Sequence, residues 1–249
     1  MKANLPRLVA AILAALCIGT PVAAQQSPSL APRVLERHRL DLDGDGKPDD
    51  MIVWFADSVD PGSIGKIEFR LSHAGTRILQ DTLSRWDPPP RDFHGTGNLI
   101  PSRRLYVADF PEAGRLLFLF GEEEGCCLQD LTIYRLGPDG PALYGHPGEV
   151  WFHSSPQPRP GVVATFAAAL MTEAIGAPTK EFVNASTYAP VVVYRLGKTF
   201  EIDSAATIAT TRRLRGGFAG FEYRTDVYIV RRRDKSPALW DVSAHRIIR

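Results

Sequence analysis

Five aspartates and two glycines are crowded into Asp41-Leu42-Asp43-Gly44-Asp45-Gly46-Lys47-Pro48-Asp49-Asp50. Counted from Asp41, the carboxylates of Asp41, Asp43 and Asp45 take the first, third and fifth places of a loop. Gly46 sits where a sharp turn is needed, Lys47 follows, and Asp49 takes the ninth place. Hard oxygen donors at this spacing wrap around one Ca²⁺, with a backbone carbonyl from the seventh residue and water completing the shell. Without a cation, the carboxylates repel one another in a tight turn. The glycines supply the backbone freedom that turn requires. The predicted metal ligands are therefore Asp41, Asp43, Asp45, Lys47 through its carbonyl, and Asp49. Asp50 reads instead as the first residue of the next strand. An ion-free acidic turn is the alternative reading.

The loop departs from an EF-hand, which needs a bidentate Glu at its twelfth place. Ile52 stands there, inside the apolar run Met51–Phe55. The segment resembles the D-x-D-G-D-G-x-x-D loops of FG-GAP and VCBS-type secreted β proteins. Asp41, Asp43, Asp45 and Asp49 carry the match, and it is close only from Leu40 to Phe55. In that family such loops lie between strands, often in propeller blades, and hold Ca²⁺ structurally. The resemblance implies a structural ion in a β context. A complete propeller carries several such loops and this chain has one. Ser186 to Asp203, STYAPVVVYRLGKTFEID, loosely resembles segments of uncharacterised exported bacterial proteins of the same type.

Two further groups of residues could do chemistry. Cys126 and Cys127 are neighbours. Adjacent Cα atoms lie about 3.8 Å apart, whereas ordinary disulfides prefer about 4.4–6.8 Å. A Cys126–Cys127 bond is thus a strained ring, and strained bridges are more easily reduced. Free thiols, a bond to another chain and soft-metal ligation remain open, with the vicinal disulfide as the expectation. The like charge of Glu122, Glu123 and Glu124 disfavours a thiolate nucleophile. The six histidines are scattered. His153 adjoins Ser154 and Ser155, but adjacency in sequence is not triad geometry. There is no G-x-S-x-G elbow, no H-E-x-x-H and no phosphate-binding loop.

The elements that must position these residues are short. The chain has 21 Gly and 20 Pro, which punctuate apolar runs at regular intervals. Met51–Phe55 reads as a buried strand. Ile67, Phe69 and Leu71 alternate with Glu68 and Arg70, the period of a half-buried strand. The turn His73-Ala74-Gly75-Thr76 leads to a partner at Ile78–Leu83. Leu105–Ala108, Leu116–Phe120, Leu131–Leu136, Val150–Phe152, Val191–Leu196, Phe221–Tyr223 and Val227–Val230 continue the series. Leu136 to Tyr144 has the chemistry of a strand-connecting turn. Val162, Phe166 and Leu170 recur four apart among alanines, which predicts a helix over Val162–Ile175, with a buried strand as the alternative. Ser204–Arg213 predicts a second short helix, capped by Asp203 or Ser204. The fold class is mainly β and antiparallel, a sandwich or part of a propeller, with one or two short helices.

Composition bounds the function. Lys2 and Arg7, the apolar run Leu8–Ile18 and the small residues Val22-Ala23-Ala24 read as a signal peptide over residues 1–24. Residues 25–33 are expected to be a flexible segment, and 34–249 one β-rich unit, with 154–161 as a connector between two lobes. The expected location is the periplasm or the exterior. The formal net charge of +1 argues against a dedicated nucleic-acid binder. No later apolar run is long enough for a membrane helix. Ten Lys and Arg fall between Arg212 and Arg249, densest at Arg231-Arg232-Arg233. They suit either a solvated strand edge or docking on an anionic envelope component. Two function classes follow. One is an exported, calcium-stabilised binding or envelope-associated protein without catalysis. The other is an exported glycan or ester hydrolase with a dispersed active site, marked by His94 or His153 paired with a carboxylate in a deep cavity.

Overall fold

The computed structural model describes residues 33–55, 63–80, 86–124, 128–170, 191–215, 227–231, 234, 237–241 and 246–247. The signal-peptide segment, the expected strand at Phe221–Tyr223 and both Cys126 and Cys127 lie outside these residues.

Strand alternation builds the first hairpins. β1 (Val34–Leu40) pairs antiparallel with β2 (Asp49–Phe55), Leu40 facing Asp49 across the mouth of the aspartate loop. β2 pairs with β3 (Ile64–Leu71), and β3 with β4 (Gly75–Leu79). Ile67, Phe69 and Leu71 are buried while Arg70 is exposed, as their alternation requires. The two-residue β5 (Trp86–Asp87) bridges β3 to β7 (Gly114–Glu124). β6 (Tyr106–Phe110) folds back on β7, and a meander follows through β8 (Leu128–Gly137), β9 (Gly140–Ser154), β10 (Ala164–Leu170), β11 (Val191–Leu196) and β12 (Phe200–Ile202). These twelve strands form one mainly antiparallel sheet. A second sheet of three is β13 (Val227–Arg231), β14 (Pro237–Asp241) and β15 (Arg246–Ile247).

β7 is apolar on both faces, so it serves two cores. Leu116, Phe118 and Phe120 join Phe152, Phe166 and Tyr194 in one cluster. Leu117 and Leu119 join Leu42, Met51, Val53, Ile67 and Phe69 in the other. Each such side chain contributes about 1.5–3 kcal/mol when fully buried. The long segment between β5 and β6 inserts Phe93 into the first cluster, edge-on to Tyr106, Phe120 and Phe152 at 5.1, 4.9 and 5.0 Å.

From Ala164 to Leu170 the helix expected over Val162–Ile175 is instead the strand β10, and residues 171–175 lie outside the described residues. Spacing of four satisfies a period of two as well as one of 3.6. Phe166 and Ala168 face the first cluster, and Ala167 packs with Val191 and Val193 on the other side. Ladders to both β9 and β11 override the helix propensity of the alanines. The second expected helix is present as α1 (Ser204–Arg215). Its N-cap is Asp203, whose Oδ1 accepts the Ala206 N–H at 2.9 Å. Among the described residues, no helix is long and apolar enough to cross a membrane.

Candidate cation site

The loop between β1 and β2 is built by its own carboxylates. Asp41 accepts the N–H of Gly44 on Oδ1 at 2.7 Å and that of Gly46 on Oδ2 at 3.1 Å. Asp43 Oδ1 accepts the Asp45 N–H at 3.1 Å. These bonds need tight reversals, and Gly44 and Gly46 adopt φ of 83° and 81°, which a side chain would strain. Leu42 points the other way and is buried in the second core cluster, anchoring the loop to the sheet.

Asp49 is only 1% exposed and is the hub of the loop. Its Oδ2 accepts the N–H of Leu42 at 2.7 Å and, more weakly, of Asp43 at 3.4 Å. Its Oδ1 accepts the Ser72 N–H at 2.7 Å, tying the loop to the β3–β4 turn. The ligand atoms of Asp41, Asp43 and Asp49 all lie within 4.8 Å of one another. Asp43 is 8% exposed, and its buried Oδ2 has no hydrogen-bond partner. An unpartnered buried carboxylate oxygen is costly unless something positive meets it. The donor set, all carboxylate oxygen, suits a hard cation, so this cluster could hold a metal ion.

Asp45, the fourth predicted carboxylate ligand, lies outside this cluster. Asp45 is turned toward the β3–β4 turn. Its Oδ2 accepts the Ser72 hydroxyl at 2.6 Å and its Oδ1 accepts the Lys47 N–H at 2.7 Å. The Ser72 hydrogen bond is the main reason its carboxyl is held below the usual carboxylate range. The Lys47 amide and the charges of Lys47 and His73 add to this. The Lys47 ammonium is exposed and 3.7 Å from Asp45 Oδ2. Ser72 thus joins the site although nothing near Asp41 in sequence announces it. A second cation stands nearby. Arg115 grips Asp109 through Nε and Nη2 at 2.7 and 2.8 Å, which chiefly keeps it charged, and the charges of Asp41 and Asp49 favour the same state.

Among the described residues, the one cluster of three or more candidate ligand side chains is that of Asp41, Asp43 and Asp49, and it contains no histidine. His94 donates its backbone N–H to Ser155 Oγ, and His153 stacks loosely on Trp151 at 5.8 Å. His38 pairs with Glu36, half-buried on β1, and His146 with Asp130, exposed on β8 and β9, each at 3.0 Å. A surface cavity of about 220 Å³ is lined by Asp109, Phe110, Pro111, Pro158, Arg159 and Pro160, with one carboxylate and no histidine. In comparisons with known proteins, no family model, no curated protein and no solved structure matches this chain.

Proposed function

We propose that the loop from Asp41 to Asp49 binds one structural Ca²⁺ in an exported, non-enzymatic binding or envelope-associated protein of the FG-GAP/VCBS type. One observation carries the ion: the unpartnered, buried Asp43 Oδ2 beside the converging carboxylates of Asp41 and Asp49. The Lys47 carbonyl and water complete the shell. Ca²⁺ suits the site better than Mg²⁺ because it accepts more oxygen ligands in looser geometry. The role is structural, since the loop fixes the β1–β2 connection and, through Asp49, the β3–β4 turn. Export rests on the charged and apolar pattern of residues 1–24, and an anionic envelope component is the partner suited to the basic segment from Arg212 to Arg249.

Extracellular calcium modules bind with dissociation constants of about 10⁻⁴–10⁻³ M. At a hundredfold excess over that constant, the ion stabilises the fold by about 2.7 kcal/mol if the unfolded chain does not bind it. Calorimetry and thermal melts with calcium or chelator test this. Binding with a raised melting temperature supports the reading. Millimolar calcium that neither binds nor shifts the melt makes the loop an ion-free acidic turn.

A further inference from the structure

Asp45 occupies the fifth place of the loop, a ligand place by spacing, yet it stands outside the cluster of Asp41, Asp43 and Asp49. Both of its oxygens are engaged, Oδ1 by the Lys47 N–H and Oδ2 by the Ser72 hydroxyl. The 2.6 Å bond to Ser72 is a short, charge-assisted one. Ser72 makes a second bond of a different kind, its backbone N–H to Asp49 Oδ1 at 2.7 Å. The two bonds have different fates when a cation arrives. The backbone bond needs only one oxygen of a fixed, buried carboxylate. The hydroxyl bond holds a side chain that is a quarter exposed.

We propose that Ser72 is an affinity-setting latch: its hydroxyl parks Asp45 away from the cation site, and cation binding releases Asp45 to become a ligand. This rests on the calcium reading of the loop. Parking lowers the carboxylate repulsion of the cation-free loop. It also makes the ion compete with a hydroxyl for Asp45, so affinity is lower than the aspartate count suggests. The backbone bond to Asp49 keeps the β3–β4 turn docked in both states. Occupancy is thus reported to β3 and β4 through one side chain, with the hairpin staying in place.

Calcium titration calorimetry on the full chain, comparing wild type, Ser72→Ala, Asp45→Asn and the double variant, tests the latch. Ser72→Ala should bind calcium about tenfold tighter, equal to about 1.4 kcal/mol, and should melt lower than wild type in chelator. Asp45→Asn should bind more weakly, and in its background Ser72→Ala should change nothing. Ser72→Thr, which keeps the hydroxyl, should match wild type. If Ser72→Ala does not fold, Ser72→Cys substitutes a weaker donor and should shift affinity the same way. Wild type that binds calcium with Ser72→Ala no tighter, or a gain that persists without the Asp45 carboxylate, overturns the latch and leaves the cation site standing. Wild type that binds no calcium overturns both.

Discussion

The carboxylates of Asp43 and Asp49 are both buried and close together, but they face opposite circumstances. Asp49 accepts three backbone N–H groups and so stabilises the loop whether or not a cation is bound. Asp43 spends one oxygen on the Asp45 N–H and leaves the other without a partner. Hydrogen bonds to a charged group contribute about 1.5–3 kcal/mol, and orphaned buried donors cost about 1–3 kcal/mol each. Asp49→Ala should therefore destabilise the protein by about 3 kcal/mol or more even in chelator. Asp43→Asn keeps the Oδ1 acceptor and removes the charge. It should change stability in chelator by less than about 1 kcal/mol while abolishing most of the calcium response. Urea denaturation of each variant with chelator or calcium measures both. Equal losses for the two variants in chelator would mean that Asp43 is as structural as Asp49.

The elements are held at their edges by side chains. β12 pairs with Tyr194–Leu196 of β11, and among the described residues no strand pairs with the N-terminal half of β11 on that side. α1 takes over. Thr207 Oγ1 accepts the Val193 N–H at 2.9 Å, and Thr211 Oγ1 both accepts the Val191 N–H and donates to the Val191 carbonyl at 3.0 Å. Thr211→Val keeps the shape and orphans a buried N–H, a loss of about 1–3 kcal/mol in a denaturant titration. The β11–β12 turn is tied down in the same way. The Tyr144 hydroxyl donates to the Gly197 carbonyl at 2.8 Å, and Arg135 donates to that of Lys198 at 2.7 Å. Burial pushes the Tyr144 hydroxyl up to about 12, with Arg135 opposing. Unfolded tyrosine ionises near about 10. The neutral hydroxyl thus contributes stability fully below about pH 10, and this is lost as pH rises through about 12. Tyr144→Phe should flatten that alkaline fall in a stability-versus-pH series. These ties explain what was legible in the sequence. Strand positions and the Asp203 cap follow from local patterns. The alanine run at β10 misleads because its spacing fits two periods. Ser72, Thr207 and Thr211 act on residues 14 to 27 positions away, so no local motif marks them.

At the scale of the molecule, β7 makes the two core clusters share one strand. Leu42 seats the aspartate loop in one cluster, and the aromatic set around Phe118 fills the other. Phe118 packs against Phe93, Tyr106, Phe110 and Phe166 with centroids 5.3 to 6.5 Å away. Phe118→Ala should cost about 3–5 kcal/mol, which for a chain of this size lowers the melting temperature by about 2–4 °C per kcal/mol. The same connection decides how far the effect of calcium should reach. A ligand that binds only the native state stabilises whatever unfolds cooperatively with its site. Because alternate residues of β7 are committed to both clusters, opening one strips the other of its central strand. Calcium should therefore raise hydrogen-exchange protection not only for the amides of Met51 and Phe69, in strands next to the loop, but equally for those of Phe166 and Tyr194 on β10 and β11. Amides that exchange by global opening report a common free energy, whereas those in separate cooperative units do not. A calcium-dependent rise confined to β1 through β4 would show that the far cluster opens independently, and that sharing β7 does not couple the two cores.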